Sequence, residues 1–234
     1  MAPRTQNLTC KGCGRALARY HMTNEAAVRR VDAAMPTLAL DTSLRSKRQL
    51  GILLGVHGPN TPPGSQIADG FIRVVQKTIL EYQSSREKLI TFLENGFADD
   101  YFRSQDHFES SILSLHRAIA YLERFRQMGF RQSNGAPFVP RPRDLKVLSE
   151  GVKTKIRNFR DSVEHLDKDI IVGLIPHEAE IGVHLGWEKA SLNGNEITYA
   201  EFVRWIGQLH HFAELLSRVQ ITIDAAPPSL KADS

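Results

Sequence analysis

The sequence predicts an all-α protein, an up-down four-helix-type bundle with a small β-hairpin inserted before the last helix. Three observations carry that expectation. Four long stretches repeat apolar residues at spacings of three and four, the period of a helix that buries one face. Most connections between them are short, and Gly, Pro and Asn punctuate them. One segment, Ile181 to Tyr199, breaks the helical period with Gly182, Gly186 and an Asn193-Gly194 pair between β-prone runs, the pattern of a hairpin.

In chain order, residues 1–64 read as a basic, poorly ordered arm and linker. The arm holds a short helical candidate at Asn24 to Ala34 and an apolar patch at Leu50 to Val56. It ends in His57-Gly-Pro-Asn-Thr-Pro-Pro-Gly64, a linker by composition. Residues 65–223 make the helical domain. Its first helix starts at Ser65, places Ile67, Phe71, Val74, Val75 and Ile79 on one face, and stops at Asn95-Gly96. The second runs from about Asp99 to Met128 with Phe108, Ile112, Leu115, Ile119, Leu122 and Phe125 along one stripe.

After a polar loop, Asp144 caps a third helix. Its apolar positions alternate by three and four through Leu145, Leu148, Val152, Ile156, Phe159, Val163, Leu166 and Ile170, ending before Gly173. The hairpin follows. Thr198 and Glu201 then form a capping box for a last helix that buries Phe202, Trp205, Ile206, Leu209, Phe212, Leu216 and Val219. Residues 224–234 read as a flexible tail.

Composition narrows the functional classes. No apolar run approaches a membrane span and the N-terminus has no signal-peptide core, so a cytoplasmic protein without membrane association is expected. Cys10 and Cys13 are the only cysteines; with His21 they make half a zinc site that lacks a ligand, and they read as reduced thiols. His210 and His211 on the last helix read as surface or packing residues rather than metal ligands, and no Gly-rich phosphate loop is present. No metal or cofactor is therefore expected. His107, His116, Trp187 and Trp205 read as structural. The net charge of +4 is uneven: residues 1–60 carry nine Lys/Arg against three Asp/Glu.

The third helix has a chemical face as well as an apolar one. At 100° per residue its stripe centres near Phe159 and Val163, which leaves Asp161 and His165 nearly opposite the core. Four residues apart, the Asp161 carboxylate can reach the His165 imidazole, with Asp169 one turn beyond. Two carboxylates would hold and protonate that ring, an environment suited to proton transfer. Charge along the segment is segregated. Residues 141–160 carry seven cations against two anions, and residues 161–180 carry one cation against six anions. The helix dipole favours the opposite order, so helix stability does not account for it. A basic approach through Lys153, Lys155 and Arg157 suits a polyanion such as RNA.

On these residues the chain resembles the HEPN family of helical-bundle proteins, whose nucleolytic members share an Arg, four to six intervening residues and a His, the first intervening residue being polar. Arg160-Asp161-Ser162-Val163-Glu164-His165 fits that pattern. Arg15 to His21 lies in the arm, and Arg204 to His210 has Trp205 where a polar residue belongs.

The resemblance implies a metal-independent endoribonuclease, a toxin or antiviral effector, that cleaves RNA by 2′-hydroxyl attack. In it His165 transfers protons, Arg160 steadies the phosphorane-like charge and Asp161 orients His165. An antitoxin or a nucleotidyltransferase is the kind of partner that it implies. Arg160 and His165 lie about 140° apart around a helix and about 7.5 Å along it, so two such helices meeting on a two-fold axis are needed to converge them. A homodimer through the third helix is therefore expected. The alternative is a noncatalytic HEPN-like helical module that binds nucleic acid or a protein partner.

Overall fold

A computed structural model describes residues 24–54, 62–132, 135–139, 141, 144–173, 182–218 and 221–223. Cys10, Cys13, His21, most of the expected linker and the tail from residue 224 lie outside these. The chain is an all-helical bundle with a small three-stranded sheet before the last helix, as the sequence predicts.

Two long helices form the spine: α3 (Pro62–Asn95) and α4 (Ala98–Gln127) run antiparallel around a two-residue turn. That turn is possible because Gly96 sits at φ +74°, a left-handed conformation that glycine adopts without strain, with its N–H bonded to Phe92 O at 2.7 Å. Small polar residues line the seam. Ser85 Oγ donates to Ser104 O at 2.8 Å, Ser104 Oγ to Ser85 O at 2.6 Å and Ser111 Oγ to Thr78 O at 2.8 Å, so every hydroxyl buried there is satisfied. All six apolar residues assigned to the stripe of the second helix are buried in α4.

The first element of the bundle is not α3. Residues 24–54, which the sequence places in a poorly ordered arm, contribute α1 (Asn24–Ala34) and α2 (Leu44–Leu53). Val31, Met35, Leu38 and Leu44 are buried in the common core. The 24–34 candidate is therefore a true helix, and the arm boundary drawn at residue 64 cuts through packed structure. Arg48 of α2 is fully buried. It donates Nε to Asp69, Nη1 to Leu216 O at 3.3 Å and Nη2 to Ser65 Oγ at 3.0 Å, which ties α2 to both α3 and the last helix. Its contacts lie 17, 21 and 168 residues away, so no local pattern reveals it.

The expected third helix is not continuous. A 3-10 turn at Lys146–Leu148 precedes α5 (Glu150–Glu164), and α6 (Leu166–Ile171) follows a break at His165. Asp144 thus does not cap α5; Ser149 stands at that position. The stripe is buried at Ile156 and Phe159, half-buried at Val152, Val163 and Leu166, and open at Ile170, Ile171 and Val172. Apolar spacing alone does not show where the partner surface ends.

The sheet has the order β2 (His184–Leu185), β3 (Lys189–Leu192), β4 (Asn195–Thr198), all antiparallel. Asn193 and Gly194 turn the chain between β3 and β4 with φ of 47° and 76°, a two-residue turn with both positions left-handed. The last helix, α7 (Tyr199–Arg218), begins with the predicted capping box: Glu201 N donates to Thr198 Oγ1, and Thr198 N to Glu201 Oε2, each at 3.2 Å. Its buried face carries Phe202, Trp205, Ile206, Leu209, Phe212 and Leu216. A second pairing joins β1 (Phe130–Gln132) to β5 (Ile221–Ile223). Among the described residues no helix is long and apolar enough to cross a membrane.

Candidate functional site

Helix α5 packs on α4 and against β3 and β4. Its register is set by ion pairs. Lys153 Nζ lies 2.7 Å from Glu123 Oε1 on α4 and 2.6 Å from Glu150, and Lys155 Nζ lies 2.9 Å from Glu201 Oε2 on α7. The carboxylates of Glu123 and Glu150 raise the Lys153 pKa. Two of the three cations expected to meet a polyanion are thus engaged within the fold. Arg157 is exposed and has no ion-pair partner among the described residues.

Seven residues beyond the Lys153–Glu123 contact, two turns along each helix, Arg160 faces the α4 position held by His116. Burial lowers the His116 pKa first, and the Arg160 and Arg157 guanidiniums lower it further against the opposing pull of Glu164 and Asp161. Arg160 itself donates Nε to Asp161 Oδ1 at 2.8 Å and reaches the same oxygen through Nη2, with Glu164 Oε2 3.4 Å away.

The Asp161 and His165 pairing expected from i,i+4 spacing is not made. Asp161 is held by Arg160, and Asp169 accepts from Asn193 Nδ2 at 3.2 Å across the β3–β4 turn. The neighbouring Ser162 Oγ is bonded by Asn195 Nδ2 at 3.0 Å. His165 adopts φ −112° and ψ 14°, between the helices rather than within one. Its side chain is exposed, with no hydrogen-bond partner among the described residues. The backbone departs from helical geometry where the spacing argument needs it, and nearer donors take both carboxylates. The structure therefore gathers Arg160, Asp161, Glu164 and His116 into one charged cluster and leaves His165 beside it.

The chain matches no protein-family model, no curated protein and no solved structure. Roles at this site accordingly rest on geometry and chemistry alone. Among the described residues no three His, Cys, Asp or Glu side chains are grouped to hold a metal ion. His210 is buried, with Nε2 3.0 Å from Asp41 O, and His107 Nδ1 lies 2.7 Å from Glu81 Oε2. Both histidines pack or bridge elements. His116 is the residue that sequence reasoning set aside. Its place depends on how α5 lies against α4, and nothing within α4 signals that.

Proposed function

We propose that the protein is a noncatalytic helical interaction module that binds a protein partner through α5 and α6, the partner being a second copy of this chain. The observation that carries this reading is the apolar end of α6: Ile170, Ile171 and Val172 are 42%, 82% and 58% exposed. Contiguous exposed aliphatic residues on an otherwise charged face mark a contact surface. Charge selects the occupant. Among the described residues Arg157 is exposed toward the start of the segment and Glu164 and Asp167 toward its end, so two copies related by a two-fold axis and running antiparallel set Arg157 of each against those carboxylates of the other.

Sedimentation velocity and light scattering test this. The full chain is expected to be a dimer that loosens as salt is raised. Ile171→Asp is expected to be a monomer with unchanged circular dichroism. A wild-type protein that stays monomeric at its highest soluble concentration overturns the reading.

A second reading is favoured by one observation, the exposed His165 side chain with no hydrogen-bond partner among the described residues, five positions along the segment from Arg160. It is the HEPN-type endoribonuclease, with RNA as substrate, Arg160, Asp161 and His165 in the roles the resemblance implies, and Arg157 as the accessible phosphate contact. A toxin or antiviral role and an antitoxin or nucleotidyltransferase partner belong to that reading. End-labelled RNA incubated in EDTA with wild type, Arg160→Ala and His165→Ala separates the two. Cleavage by wild type alone, leaving cyclic phosphate ends, favours the nuclease. Equal cutting by all three, or none across several RNAs, removes it.

A further inference from the structure

We propose that a cavity between α1, the α3–α4 turn and the hairpin binds a small amphipathic acid, an aliphatic or aromatic body bearing one carboxylate. This inference is independent of the interaction module and of the nuclease reading, since it concerns residues on the opposite side of the hairpin from Asn193 and Asn195.

The cavity has a volume of about 500 Å³. It is open to solvent on one side, and small-molecule clefts commonly fall between roughly 300 and 1,000 Å³. Its walls are apolar on three sides: Ala27 and Val31 from α1, Leu89, Phe92 and Leu93 from the end of α3, and Leu185 and Trp187 from the hairpin. Two polar side chains meet at one place. Tyr101 Oη accepts from Leu185 N at 3.3 Å and lies 3.4 Å from His184 Nδ1. None of the lining residues is Asp, Glu, Lys or Arg, so the body of a ligand there is apolar.

The head group is chosen at the rim. The Arg30 guanidinium carbon stands 5.2 Å from the centroid of the Trp187 ring, directly over a lining residue. Its ion pair with Glu188 is long, at 3.8 Å, and both side chains are well exposed, at 49% and 74%. A ligand carboxylate can take the Glu188 place on Arg30 while its chain enters the cavity. An ammonium group would be repelled by Arg30 and would have to compete with it for Glu188.

Titration calorimetry on the full chain, with decanoate, 1-decanol and decylammonium as probes, tests the site. Decanoate is expected to bind saturably at one site, more tightly than the alcohol, with the ammonium weakest. Ala27→Phe, which fills the cavity from α1, is expected to abolish binding; if it fails to fold by circular dichroism, Leu93→Trp fills the same space from α3 and is read in the same way. Arg30→Gln is expected to erase the preference of decanoate over decanol, a loss of about two- to fivefold for an exposed ion pair, and Glu188→Gln to tighten decanoate by a similar factor. Absence of saturable binding by all three probes overturns the proposal. So does undiminished binding by a folded filling variant, or an unchanged acid preference in Arg30→Gln.

Discussion

Arg160 shows how one side chain can change the meaning of its neighbours. By holding Asp161 and approaching Glu164 it removes the carboxylate that spacing assigns to His165, and its charge bears on His116 across the helix interface. His116 is therefore held neutral further into the acid range than a free imidazole. Because its folded pKa is lowered, the stability it contributes is present above the ordinary histidine value and is lost as pH falls through that value toward the folded one. Arg160→Gln removes the cation and leaves Asp161 and Glu164, so the His116 pKa is expected to rise, read from its ring proton shifts in an NMR titration. No change would mean that burial alone sets it. The residue types of this cluster are all visible in the sequence. Their partners are not, since for the Asp161 carboxylate a guanidinium one position away competes with an imidazole four away, and a spacing rule does not rank them.

Elements with a local cause were legible down to their ends. Thr198 and Glu201 satisfy backbone donors of each other's neighbourhood within four residues, and Asn193-Gly194 supplies the two left-handed positions that the hairpin needs. Both features depend only on adjacent chain. Thr198→Ala is expected to cost about 1 kcal/mol in urea unfolding, the usual worth of a helix cap; a loss within error would show that the Lys155–Glu201 pair holds the start of α7 by itself. The break at His165 had no such signal. Apolar residues continue on both sides of it at helical spacing, and only the hairpin turn, reaching Ser162 and Asp169 through Asn195 and Asn193, marks the place where the segment changes course.

At the scale of the molecule, the four long amphipathic stretches predicted a bundle and a bundle is present; the short candidate at residues 24–34 is its helix α1, but the sequence reading places it outside the bundle and does not foresee α2. Helices α1 and α2 are short, and their buried residues are spread among cations, so their apolar period is weak. What places them is tertiary: Tyr82 Oη donates to Pro36 O at 2.9 Å, Gln83 Nε2 to Leu38 O at 2.7 Å and Arg86 Nε to Met35 O at 2.7 Å, a ladder of side chains on α3 reaching the backbone that follows α1. Deleting residues 1–54 exposes the surfaces that cover Val31, Met35, Leu38 and Leu44 and strips Asp69 of Arg48. The shortened chain is expected to lose cooperative thermal unfolding and to bind an apolar dye; a melting curve like that of the full chain would return residues 24–54 to the status of an arm.

The bond from Arg48 to the carbonyl of Leu216 spans 168 residues. During synthesis the guanidinium leaves the ribosome long before its acceptor exists, a wait of about 10–30 s at ordinary elongation rates. Until α7 emerges, Arg48 has Asp69 and Ser65 but lacks the Leu216 carbonyl and the α7 surface that completes its burial, so α2 docks fully only when the end of the chain arrives. Nascent chains arrested ahead of Tyr199 should accordingly be cut by trypsin at Arg48, and released full-length chains should resist it.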